Sequence, residues 1–257
     1  MSRIKNAFEN KKAFIGFLTA GDPSIEKTEE FIYKLIEGGA DLIEIGIPFS
    51  DPIAEGPVIQ SANIRSLSGG TRISHLFELV ENVRKNTEIP LVFLTYINTV
   101  FKYGTEEFFK KCNESGIDGI IIPDLPFEEK AEIKESAEKY DVDIISLIAP
   151  TSEDRIKLIA KESQGFVYVV SSMGVTGMRS EIKTDLESIV ESVRKYTDNP
   201  IAIGFGINSP EQAEKYSKLA DGVIVGSAIV KIIEEHKEDS GKYLKEYAEK
   251  MKSAMKN

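Results

Sequence analysis

Cysteine and histidine are nearly missing from this chain of 257 residues, which has one of the former and two of the latter. The lone Cys112, in the helical-looking FFKKCNES, leaves no disulfide within the chain, and a reducing, cytoplasmic setting is the expectation. His75 and His236 sit in separate, charged helical contexts, so no His/Cys cluster offers a zinc or other soft-metal site. No apolar run approaches the ~18 residues of a membrane helix, and the opening MSRIKNAFENKKAF lacks an apolar signal core. A basic excess is missing too. Net charge is −10 with the acids scattered along helices, which argues against a nucleic-acid partner. The Lys-dense C-terminus, KYLKEYAEKMKSAMKN, is interleaved with Glu and reads as a solvated helix face. What is present is a 41% hydrophobic content, enough for a sizeable core in a chain whose length permits one large domain or two smaller ones.

Short apolar, β-branched runs recur along the chain, each followed by an amphipathic segment. They are AFIGFLTA (13–20), LIEIGIP (42–48), PLVFLTYI (90–97), DGIIIPDL (118–125), VDIISLIAP (142–150), FVYVVSSM (166–173), PIAIGFGI (200–207) and DGVIVGSA (221–228). Helix-period segments such as SIEKTEEFIYKLIEGG and SPEQAEKYSKLA lie between them, several opening on an N-cap residue and closing on Gly. Eight strands alternating with helices, without a linker, predict a single-domain (β/α)₈ TIM barrel over residues 1–257. An open doubly wound sheet is the rival, but the first run ends in TAGDPS rather than a Gly-rich nucleotide turn. The connections after the second and sixth runs are long, and in a barrel such loops at strand C-termini carry function or close as lids.

One strand holds an acid. Alternation puts Ile43, Ile45 and Ile47 on one face of the second run, and Leu42, Glu44 and Gly46 on the other. Three isoleucines suit the helix-facing side, which leaves Glu44 pointing into the barrel. Burial there raises its pKa toward the range useful for proton transfer; a glutamate satisfied by internal hydrogen bonds is the alternative. Two more acids follow in SDPIAEGP. Asp51 fits common Asp-Pro turn chemistry, and Glu55 reads as an exposed loop residue or as a substrate contact. The seventh run ends in GFGINSP and the eighth in VGSAIV, with Ser227 at a helix start. Glycines there let backbone N–H groups approach an anion, and these two loops are the usual phosphate site of the architecture, with GVTGMR after the sixth run as a third wall. None of the eight runs contains a lysine, which disfavours imine chemistry. Carboxylate acid–base chemistry on a small phosphorylated molecule remains, in a pocket lined by Phe17, Tyr96, Tyr168 and Phe205.

With these residues in place, IEIGIPFSDPIAEGPVIQ, FLTAGDP, YVVSSMGVTG, GFGI and VGSAIVKII together resemble the α subunit family of tryptophan synthase, in order and over essentially the whole chain. The resemblance implies a barrel that cleaves indole-3-glycerol phosphate to indole and glyceraldehyde 3-phosphate. It carries no cofactor itself and passes indole to a pyridoxal-phosphate-dependent β subunit in an α2β2 complex. It implies Glu44 as acid–base catalyst, and Phe17, Leu94, Tyr96, Ile121 and Tyr168 around indole. Gly177, Gly204, Phe205, Gly206, Gly226 and Ser227 would hold the phosphate end, and Thr176 would contact Asp51 when the loops close. The family pattern DPxADGP is here DPIAEGP, so the indole N–H would fall to Glu55, one methylene longer than the usual aspartate. A stand-alone lyase, another phosphate-binding barrel of aromatic amino-acid synthesis, and a weakly active chain that mainly activates its β partner are the alternatives.

Overall fold

Alternation of side chains along nine short strands sorts the apolar residues into an inner and an outer core. The computed structural model describes residues 3–170, 185–204 and 206–255. Its strands are β1 (Ala13–Thr19), β2 (Leu42–Gly46), β3 (Leu91–Leu94), β4 (Gly119–Ile121), β5 (Asp143–Ile144), β6 (Ser146–Ile148), β7 (Val167–Val170), β8 (Ile201–Gly204) and β9 (Gly222–Val225). All neighbours pair in parallel, in the order β5-β4-β3-β2-β1-β9-β8-β7-β6.

The fifth run, read from sequence as one strand, is two. β5 pairs only with β4 and β6 only with β7, so the chain changes partner at Ile145, whose N–H donates to Ile120 O at 2.9 Å. That junction joins the two ends of the strand order, and the architecture is the expected (β/α)₈ barrel.

Inside the ring lie Ile15, Leu42, Val92, Ile121, Ile145, Tyr168, Ala202 and Ile224, with Ile4 and Phe8 of the N-terminal segment packed onto the same cluster. Outside it, Ile43, Ile45 and Ile47 pack with Phe31, Ile32 and Leu35 of the Ile25–Glu37 helix and Leu76, Val80 and Val83 of the Ile73–Arg84 helix. The parity read from LIEIGIP is therefore the parity of the fold. Ser24 caps the Ile25–Glu37 helix by accepting from Lys27 N at 3.2 Å, and Ser209 does the same for the Pro210–Ser217 helix through Gln212 N at 3.3 Å.

The Lys-dense C-terminus is solvated on one side only. In the Ser240–Ala254 helix, Leu244, Ala248 and Met251 are buried in the outer core, and Lys252 Nζ donates to Asp41 Oδ2 at 2.6 Å. An i, i+4, i+7 apolar stripe among the lysines, hidden by their charge in composition, is what makes this helix part of the shell.

Candidate active site

Glu44 is the third residue of β2, between Phe17 of β1 and Val92 of β3 in register. It is 2% exposed, and its Oε2 accepts no hydrogen bond from a described protein group. Burial pushes its pKa up to about 8, with repulsion from Glu55 adding to the rise. A carboxyl in that state holds its proton at neutral pH and can give it away.

Glu55 reaches the same pocket from the loop after β2. It is 5% exposed, so the reading of it as an exposed loop residue fails: the turn after Asp51 folds Ala54 and Glu55 inward, pinned by the Tyr96 hydroxyl, which accepts from Ala54 N at 3.2 Å. Gln60 Nε2 holds the Glu55 backbone oxygen at 2.7 Å. Burial raises the Glu55 pKa to about 7, opposed by hydrogen bonds from Asn63 and Tyr96 that favour the anion. The Tyr96 phenol is itself pushed up, by burial first and the Glu55 charge second. The longer acid is thus drawn back against the Pro57–Ser68 helix, where Asn63 Nδ2 donates to its Oε2 at 2.5 Å.

Both carboxyls line one pocket with Phe17, Ile59, Leu94, Leu147, Tyr168 and Ile224, enclosing about 590 Å³ of space that is partly open to solvent. Gly206, Gly226 and Ser227 line it too, and no lysine or arginine stands among its described lining residues. The glycine-rich turns offer what a cation would. Gly206 has φ +90°, a conformation that keeps a side chain off the turn after β8. Gly226 caps the Ser227–His236 helix, whose free N–H groups carry the positive end of the helix dipole. One end of the pocket is apolar and acidic, and the other is an anion cradle.

The remaining sequence-based candidates are placed unevenly. Gly204 lies behind Tyr168, where an added Cβ would sit 2.5 Å from the phenol ring. Tyr96 acts on the pocket through Glu55 and Ala54. Ile121 is fully buried in the inner core, outside the pocket lining. Asp51 is exposed, bonded from the Ser50 hydroxyl, and borders a separate groove with Asn98 and Lys102. Thr176, Gly177 and Phe205 lie outside the described residues. Sequence reading missed Asn63. Its signal was available: Ile59, Ala62, Asn63 and Ser66 make one buried helical stripe, and an amide in such a stripe needs a partner. Pro123 and Leu147 were also missed, carrying no chemical signature.

The fold and site define a (β/α)₈ barrel enzyme with an acid pair and an anion cradle at the C-terminal ends of its strands. The family model described as tryptophan synthase alpha chain matches residues 4–257. A tryptophan synthase alpha chain from Lacticaseibacillus casei is 48% identical over 255 residues, covering 99% of this chain and 96% of that protein. One from Thermoanaerobacter sp. (strain X514) is 50% identical over 238 residues, covering 91% of each. Among solved structures, the tryptophan synthase alpha chain of Legionella pneumophila superposes with a TM-score of 0.90 at 33% identity, covering 99% of this chain and 97% of that one. A chain of the tryptophan synthase complex from Pyrococcus furiosus gives 0.87 at 35% identity, covering 94% and 98%. The chain belongs to the tryptophan synthase alpha chain family, carbon–carbon lyases of tryptophan biosynthesis that act on indole-3-glycerol phosphate.

Proposed function

We infer that this pocket performs the retro-aldol cleavage of indole-3-glycerol phosphate by proton traffic through Glu44. The carrying observation is two buried carboxyls, Glu44 with an Oε2 unbonded among the described residues and Glu55 held by Asn63, in a single apolar pocket that ends in a glycine-lined helix N-terminus. Glu44, neutral before reaction, gives its proton to indole C3 while ionised Glu55 accepts the indole N–H and stabilises the charge growing on the ring. The Glu44 carboxylate then takes the proton of the adjacent glycerol hydroxyl. As that O–H becomes a carbonyl, the bond between indole C3 and the side chain breaks and its electrons restore the aromatic ring. Glu44 ends protonated, as it began. Phe17, Leu94 and Tyr168 would hold the indole, and Gly206, Gly226 and Ser227 the phosphate, with Gly204 behind them. Thr176, Gly177 and Phe205 are proposed for the same ends of the site on the resemblance alone, Thr176 closing toward Asp51.

The acid pair supplies the chemistry without a cofactor in this chain, and pyridoxal phosphate would belong to a β subunit in an α2β2 assembly in the cytoplasm. Exposed apolar groups support a docking face at the barrel mouth. Ile53, Ile64, Leu67 and Phe101, all in the segments after β2 and β3, are 37–71% exposed. Exposure of several large apolar groups on successive segments is characteristic of interaction surfaces.

Indole release from indole-3-glycerol phosphate by the chain alone, and again with a β subunit, tests the reading. Release stimulated strongly by β is expected. High turnover alone would mark a stand-alone lyase, and no release under either condition would leave only a binding role.

A further inference from the structure

Asn63 is a buried polar group outside the pocket lining, bonded to Glu55 of that lining, that the reaction scheme leaves unused. It is 3% exposed, on the helical stripe where packing alone asks for an apolar side chain. Its Nδ2 donates to Glu55 Oε2 at 2.5 Å. The backbone around Glu55 is fixed independently, by Gln60 at the Glu55 carbonyl and by Tyr96 at Ala54 N. A glutamate on a fixed backbone still has three side-chain torsions, so its carboxylate goes where its partners hold it. The two partners are Asn63 and the Tyr96 hydroxyl.

We propose that Asn63 is a positioning residue that sets where the Glu55 carboxylate meets the indole N–H, and that the pair of side-chain lengths at positions 55 and 63 is matched. The proposal rests on the reading of Glu55 as the indole ligand. The Asn63 amide also opposes the rise that burial imposes on the Glu55 pKa, so its loss moves Glu55 ionisation to higher pH. The other titratable groups about Glu55 are Glu44, whose own pKa the Glu55 charge raises, and Tyr96, with Asp124 acting on Tyr96 in turn.

The test is steady-state indole release with the β subunit present, as a function of pH, for wild type, Asn63→Ala, Glu55→Asp, Asn63→Gln and the double variant Glu55→Asp/Asn63→Gln. Asn63→Ala is expected to lower kcat/KM roughly tenfold to a hundredfold, the cost of misplacing a reacting group by about 1 Å. Its acidic limb should move to higher pH. Each length change alone should also impair. The double variant, which shortens the acid and lengthens the amide by one methylene each, should recover at least about tenfold over Glu55→Asp, as paired groups do when their coupling is restored. That rescue needs no folded Asn63→Ala. A double variant no better than Glu55→Asp, or an Asn63→Ala enzyme with wild-type kcat/KM and pH profile, overturns the proposal while wild-type turnover leaves the lyase reading standing. A wild type that releases no indole overturns both.

Discussion

At the scale of single residues, Glu44 works against the stability of the strand that holds it. Its carboxyl ionises at an ordinary 4.5 when exposed and at about 8 in the fold. Between these values the folded chain keeps a proton that the unfolded chain releases, so unfolding is favoured as pH rises. This penalty is absent below about pH 4.5 and grows as pH climbs from there to about 8. At ~1.36 kcal/mol per pH unit, the loss is roughly 3–5 kcal/mol. Glu44→Gln should therefore melt higher than wild type near the upper end of this window and close to it at the lower end, read by thermal denaturation at both pH values. The same substitution should cost at least about 10³-fold in indole release, within the range general acid–base catalysis supplies, while binding of indole-propanol phosphate by calorimetry stays within a few-fold. Near-normal turnover would remove Glu44 from the reaction.

Elements place these groups through two close fits. β8 approaches Tyr168 so nearly that a Cβ on Gly204 would lie 2.5–2.8 Å from its ring atoms. Gly204→Ala should push the phenol into the substrate space and lower kcat/KM by about tenfold or more, chiefly through KM, with far-UV circular dichroism unchanged. The second fit is a clamp across three elements. Arg65, on the helix that carries Asn63, bonds Asp22 through Nε at 2.9 Å and Nη2 at 2.8 Å, and reaches Glu234 of the Ser227–His236 helix at 3.3 Å. Asp22 is buried, so Arg65→Ala leaves an uncompensated carboxylate. Urea denaturation should show a loss of roughly 2–3 kcal/mol, below the cost of a fully buried pair because Arg65 is one-third exposed. A loss below about half a kcal/mol, the level of an ordinary surface substitution, would mean the clamp is solvated in solution.

For the whole molecule, the proposed reading puts chemistry and docking on one face of the barrel. The acid pair and the anion cradle line one pocket built on β2, β8 and β9, and most of the exposed large apolar side chains among the described residues lie on the segments that follow β2 and β3. Phe101, 45% exposed and outside the pocket lining, tests docking by itself. Phe101→Asp should weaken binding of a β subunit by about tenfold or more in titration calorimetry, the scale of a buried aromatic anchor, without changing the melting temperature of the isolated chain. Unchanged affinity would place the partner elsewhere.

The eight βα runs, the inward parity of Glu44 and the glycine turns at Gly206 and Gly226 were legible in the sequence because each is a local pattern. Alternation, N-capping and glycine placement act over a few residues and are written in order along the chain. The burial of Glu55, its tie to Asn63 eight residues on, the change of partner at Ile145 and the apolar underside of the last helix were not. Each depends on which distant surface comes to lie alongside, and that is decided only when the strands close into a ring. Sequence by itself determined which acid stands in the strand. Tertiary structure decided that a second acid joins it, because enclosure in one pocket, away from water, is what raises the pKa of both carboxyls.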